Sequence, residues 1–182
     1  MPGNTTSSNA PTVIVLASGR GERFVASGGS GSKLKALLLN KPVLDHTLEA
    51  VRASGLPWHL EDAGHAGMGD SIGAGVRATP NGIGWLILPA DLPLIQSDTL
   101  LQVAEALSSG AAAAQPVYQG QRGHPVGFGA ASGPALAALS GPQGAHTSSC
   151  VTPTKSPYGE LDDVHWMMRP RALYRRPAPS RT

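Results

Sequence analysis

Thr12-Val-Ile-Val-Leu-Ala-Ser-Gly-Arg-Gly-Glu-Arg-Phe24 is the stretch whose reading decides the fold. Its first five residues form a short run rich in β-branched and apolar side chains, which suits a strand buried on both faces of a parallel sheet. Gly and Ser then dominate from Ser18 to Ser32. A loop of that length without regular structure is uncommon unless it has a function. Glycines let a backbone come close to phosphate and turn its N–H groups toward it. Arg20, Arg23 and Lys33 add positive charge suited to a polyphosphate. A flexible surface loop is the other reading of the same composition.

Outward from this stretch, strand-like and helix-like segments alternate. From Pro42 onward, Val43, Leu44, Leu48 and Val51 share one helical face, with Pro42 at the first turn and Gly55 past the end. Trp58 to Leu60 reads as a short strand. Met68 to Arg77 reads as a helix capped by Asp70 and Ser71. Gly84-Trp-Leu-Ile-Leu-Pro89 is the clearest strand, and it delivers Asp91 at its C-terminal end. Ser97-Asp-Thr99 is expected to cap a helix carrying Leu100, Leu101, Val103, Ala104 and Leu107. Ala111 to Val117 reads as a small-residue strand. His124 to Phe128 reads as another, placed at a sheet edge by Pro125. Ser132 to Leu139 reads as a short helix. The alternation predicts an α/β domain with a doubly wound, mostly parallel (mixed) sheet. In such sheets ligands bind beyond the carboxyl ends of the strands.

Two common phosphate motifs fail on inspection. Gly19 and Gly21 are followed by Phe24 where a dinucleotide fingerprint needs glycine. Ser32-Lys33-Leu34 is not the Gly-Lys-Ser/Thr of a Walker loop. Leu88-Pro-Ala-Asp91-Leu-Pro93 holds a carboxylate between two prolines at a strand tip, which suits a hard cation such as Mg²⁺. By itself, that carboxylate reads first as a turn or helix cap, and its pairing with a phosphate loop is what favours the functional reading. His59 and His65 are expected to do nothing beyond surface solvation, and the six histidines form no credible zinc site.

Composition narrows the function classes. Of the 182 residues, 41% are apolar and 14% charged, too hydrophobic for a disordered chain. No apolar run approaches the roughly 20 residues needed to span a bilayer. Residues 1–11 are polar and are expected to be a disordered N-terminal segment. One cysteine excludes a disulfide framework. Residues 1–150 carry 8 Lys/Arg against 9 Asp/Glu, so a nucleic-acid-binding face is not expected. Together these traits predict a cytoplasmic protein with no membrane contact.

Four motifs now stand in order: Leu16 to Phe24 with Lys33-Leu34 and Pro42-Val-Leu44; Gly67-Met-Gly-Asp-Ser-Ile-Gly-Ala-Gly75; Leu88 to Pro93; and Arg122-Gly-His-Pro-Val126 with Leu139 to Ala145. This series resembles the MobA-like nucleoside-triphosphate transferases, among them the molybdenum-cofactor cytidylyl- and guanylyltransferases. The resemblance runs from about Val13 to Ala145 and implies a Rossmann-like nucleotide-diphospho-sugar transferase architecture over 12–145. It implies a Mg²⁺-dependent nucleotidyltransferase that joins an NMP from an NTP to a phosphomonoester acceptor such as molybdopterin, releasing pyrophosphate. It assigns nucleotide binding to Leu16, Ala17, Ser18, Gly19, Arg20, Gly21, Lys33, Gly69, Ser71, Pro89 and Ala90. Catalysis falls to Arg23, Lys33 and Asp91, with Asp91 the metal ligand, and acceptor binding to Arg122 and His124. Gly-Met-Gly-Asp-Ser and the Ala90 before Asp91 look more like the cytidylyl branch, favouring CTP over GTP. The implied partners are the NTP, the acceptor and, transiently, a molybdoenzyme or its chaperone.

The C-terminal part departs from the family pattern. The chain is also short between Trp58 and Gly67, where relatives carry a fuller strand and loop. Pro142 stands where relatives commonly place Asp, and Arg169 and Arg171 align with two expected carboxylates. Residues 146–182 are expected to form a divergent, poorly ordered tail, holding 6 of the 14 Lys/Arg. Two alternatives stay open: a nucleotide-binding pseudoenzyme without turnover, and a sugar-1-phosphate nucleotidyltransferase.

Overall fold

A computed structural model describes residues 9–18 and 32–141. The expectations placed on Gly19, Arg20, Gly21 and Arg23, on the N-terminal segment before residue 9, and on Pro142, Arg169, Arg171 and the 146–182 tail lie outside those residues.

A mixed sheet of five strands forms the centre, in the order β4-β1-β5-β9-β6. Strand β1 (Thr12–Leu16) pairs in parallel with both β4 (Trp58–Glu61) and β5 (Gly84–Pro89). Strand β9 (Val126–Gly129) runs antiparallel between β5 and β6 (Ala113–Ala114), so four of the five strands point the same way. Two small hairpins stand outside this sheet: β2 (Leu37–Leu38) with β3 (Lys41–Pro42), and β7 (Val117–Tyr118) with β8 (Gln121–Arg122).

Alternation along β1 sorts the core into two layers. Val13 and Val15 face α1 (Val43–Ala53) and α3 (Ser97–Ser108), meeting Leu48, Val51, Leu100, Val103 and Leu107. Ile14 faces the opposite layer with Ile72 and Val76 of α2 (Met68–Ala78) and Leu136 of α4 (Gly133–Ala137). Val13, Ile14 and Val15 are fully buried, as a strand covered on both faces requires. No helix among the described residues is long and apolar enough to cross a membrane.

Several boundaries differ from the expectations. Helices α2 and α3 begin without a side-chain cap; Asp70 instead accepts the Gly141 N–H at 3.0 Å. Leu101 lies on the outer face of α3 and is exposed. The expected 111–117 strand is split, β6 joining the main sheet and β7 a separate hairpin. β9 is interior rather than an edge: it begins at Val126, after Pro125, so the proline removes no donor from its ladder.

Gly75 fixes how closely α2 approaches the sheet. A Cβ there would stand 2.6 Å from Ile14 Cγ2, on a side chain with no free space to move into. Gly75→Ala is expected to cost about 1–3 kcal/mol through overpacking, read as a lowered urea midpoint with unchanged slope.

Candidate active site

Parallel pairing sends β4, β1 and β5 out of the same edge of the sheet. Leu16 is in register with Glu61 on one side and Pro89 on the other. The pairing continues beyond the strands: Ala90 N–H donates to Leu16 O at 3.0 Å, and Ala17 N–H donates to Glu61 O at 2.8 Å. Ser18 Oγ donates to the same Glu61 carbonyl at 3.1 Å, which fixes the direction in which the chain enters the glycine-rich stretch. Asp91 follows Ala90 directly and so leaves the sheet beside that turn.

Lys33, which follows the glycine-rich stretch in sequence, stands at the same place, in a 3-10 turn at Lys33–Lys35. Its Nζ lies 2.5 Å from Asp91 Oδ2. The structure thus brings together Leu16, Ala17, Ser18, Lys33, Pro89, Ala90 and Asp91. The Lys33 and Asp91 side chains are 50% and 34% exposed, and an ion pair this open contributes only about 0–1 kcal/mol. Such a pair is readily separated by a stronger ligand for either charge.

The remaining expected residues reach this edge less directly. Gly69 and Ser71 lie in the first turn of α2, at the N-terminal end that follows β4, but their polar groups have internal partners. Gly69 N–H donates to Gly141 O at 3.0 Å, and Ser71 Oγ donates to Gly67 O at 3.1 Å. His124 precedes β9, whose antiparallel course returns its N-terminal end to the C-terminal end of β5. A cis peptide joins His124 to Pro125. Arg122 is exposed in the β7–β8 hairpin, outside the main sheet.

Two features escaped the sequence reading. His59 and His65 are not idle surface residues. Their Nε2 atoms lie 3.4 and 3.0 Å from the two carboxylate oxygens of Glu61, which also accepts the Ala63 N–H at 3.2 Å. Burial pushes the Glu61 carboxyl upward, but the Ala63, His65 and His59 hydrogen bonds outweigh it and hold the group below its ordinary 4.5. The second is Thr47, fully buried on α1, whose Oγ1 donates to Ala90 O at 2.9 Å. A hydroxyl on the otherwise apolar stripe of Leu44, Leu48 and Val51 was its one sequence signal.

The part-exposed carboxylate available to a divalent cation beside the β1 turn is that of Asp91, and among the described residues no three His, Cys, Asp or Glu converge to hold a metal. That donor set fits Mg²⁺, which is commonly held by one or two carboxylates with waters and substrate phosphates.

Comparison with known proteins bears on this edge. The profile of the MobA-like NTP transferase domain matches residues 48–152, more than half of the chain. The chain belongs to this family. The matched part contains α2, β5 and Asp91, and begins after the glycine-rich stretch. Among solved structures, this MobA-like domain is similar to Rv0371c from Mycobacterium tuberculosis H37Rv, at 20% identity and a TM-score of 0.59 over 72% of this chain and 77% of that one. A manganese complex of Rv0371c gives 0.57 with the same identity and coverage. A nucleotidyl transferase from Methanothermobacter thermautotroptrophicus gives 0.54 at 20% identity over 74% and 78%. These likenesses establish the α/β fold. No curated protein matches the chain at a significant level.

Two measurements test the geometry. Since Lys33 occupies Asp91 Oδ2, Lys33→Met is expected to tighten Mn²⁺ binding without nucleotide and to weaken NTP binding by about tenfold or more, read by calorimetry. The Glu61 cluster has a sign fixed by its lowered pKa: the stabilisation is complete above 4.5 and is lost as pH falls through the lowered folded-state value. Urea unfolding at pH 3–5 is therefore expected to show an acid-dependent loss of stability in the wild type that Glu61→Gln reduces.

Proposed function

We propose that the protein is a Mg²⁺-dependent nucleotidyltransferase of the MobA-like family that transfers an NMP, from CTP in preference to GTP, to a phosphomonoester acceptor such as molybdopterin. The observation that carries this reading is the Lys33–Asp91 pair beside the turn leaving β1. One cation donor and one carboxylate meet where a triphosphate would lie along Ala17 and Ser18. The manganese complex of Rv0371c supports a divalent cation, and the Gly67-Met-Gly-Asp-Ser71 form supports the cytidylyl branch.

In this reaction an acceptor phosphate oxygen attacks the α-phosphorus of the NTP. The bond from that phosphorus to the oxygen bridging it to the β-phosphorus breaks, and pyrophosphate leaves with the bonding pair. Little covalent work falls to the protein; positioning and charge neutralisation dominate. Lys33, which pairs with Asp91 in the free protein, would be the cation for the leaving pyrophosphate, and Asp91 would be the carboxylate that holds the divalent ion. A bound Mg²⁺ supplies charge neutralisation across the phosphates. The Ala17–Ser18 backbone, pinned to Glu61 O, sets the line of the triphosphate. Pro89 and Ala90 close the nucleotide side, and Gly69 and Ser71 shape the first turn of α2 beside it. Arg122 and His124 face the acceptor. By residue type, Arg20 and Arg23 would add positive charge for the triphosphate, and Gly19 and Gly21 are the kind of residue that lets a backbone come close to phosphate.

A second reading is a nucleotide-binding protein without turnover. Arg169 and Arg171 favour it, because they stand where the family pattern has carboxylates. The test is protein with CTP or GTP, Mg²⁺ and molybdopterin, followed by pyrophosphate release. Turnover with CTP exceeding GTP is expected, and Asp91→Asn is expected to lower kcat by about 100-fold or more. NTP binding without product from any nucleotide favours the second reading. Turnover only with sugar 1-phosphates would move the acceptor to that class.

A further inference from the structure

We infer that Thr47 is a positioning residue for the Asp91 carboxylate, acting through the carbonyl of Ala90. The inference rests on the reading above that Asp91 holds the divalent cation. Thr47 is 0% exposed, and its Oγ1 donates to Ala90 O at 2.9 Å. The alternative acceptor, Val43 O one helical turn back, is farther at 3.4 Å. A hydroxyl has one proton to give, and here the shorter bond goes to the sheet rather than to its own helix.

Ala90 is held from both sides. Its N–H donates to Leu16 O at 3.0 Å, and its carbonyl accepts from Thr47. Those two bonds fix both peptide planes flanking Ala90, and therefore the place where the Asp91 Cα leaves the sheet. Asp91 itself is part-exposed and is tied to the rest of the site through Lys33, a contact that a bound nucleotide would remove. Once Lys33 turns away, the Ala90 anchor is what keeps the carboxylate beside the β1 turn. A threonine on the buried face of α1 is thus the link between that helix and the geometry of the site. Valine would fill nearly the same volume but leave the Ala90 carbonyl without this donor.

The test compares Thr47→Val, Thr47→Ala and Thr47→Ser with Asp91→Asn, reading Mn²⁺ affinity by electron paramagnetic resonance in the presence of a non-hydrolysable CTP analogue. Outer partners of metal ligands are typically worth 10–100-fold in affinity, so Thr47→Val and Thr47→Ala are expected to weaken Mn²⁺ binding by about 10-fold or more. Thr47→Ser is expected to restore it. Leu136→Ala, in the opposite core layer, serves as a control that loses stability without losing Mn²⁺ affinity. In turnover, Thr47→Val is expected to lower kcat with little change in KM for the nucleotide. Wild-type Mn²⁺ affinity in Thr47→Val, or in Thr47→Ala should valine not fold, overturns the inference, as does failure of Thr47→Ser to rescue. If Asp91→Asn also binds Mn²⁺ normally, the metal assignment falls and this inference with it. If Asp91→Asn is impaired while the Thr47 variants are not, Thr47 alone is removed.

Discussion

The parallel pairing of β1 with β5 is the constraint on which the rest depends. Thr12 to Leu16 lies opposite Trp85 to Pro89, and one more bond from Ala90 to Leu16 carries the pairing past the ends of both strands. Parallel alignment makes the two following loops leave from one edge. A glycine-rich stretch and an acidic residue separated by more than 70 positions in sequence therefore begin side by side. An antiparallel pair would have put them at opposite ends of the sheet. Val13, Ile14 and Val15 make the pairing stable because both faces of β1 are covered, by α1 and α3 on one side and by α2 and α4 on the other.

Charge is used in two ways at this edge. Lys33 and Asp91 meet in the open, where water screens their attraction and each stays free to change partner. Glu61 is nearly buried, and both of its carboxylate oxygens have hydrogen-bond partners. A buried carboxylate needs such partners, because an unpaired charge out of water is costly. The same residue's carbonyl ties down Ala17 and Ser18. Glu61 thus anchors Ala17 and Ser18, while Lys33 and Asp91 form the exchangeable pair beside them. The fold places rigid and replaceable interactions at one edge of the sheet, although the residues that make them are distant in sequence.

Much of the framework was legible in the sequence because it rests on local periodicity. The apolar run of β1, the Gly84–Pro89 strand and the apolar stripe of α1 each carry their signal within a few consecutive residues. Asp91 could be singled out because it stands at the tip of such a strand. Misreadings arose where the partner is distant. Asp70 looks like a cap for α2 but bonds residue 141. Pro125 suggested an edge strand, yet β9 begins just beyond it and is interior. His59 and His65 looked like solvent-facing residues until the chain after β4 folded them onto Glu61. Thr47 drew no reading at all, because its acceptor is 43 positions away.

By itself, the amino-acid order determined the element types, the two-sided burial of the central strands and the residue kinds available for phosphate and cation chemistry. These follow from side-chain size, polarity and spacing, all local properties. Strand order, the antiparallel return of β9 and the meeting of Lys33 with Asp91 were decided only by the tertiary structure. Hydrogen-bond ladders and ion pairs join groups far apart along the chain, and their geometry exists only once both core layers have closed over the sheet.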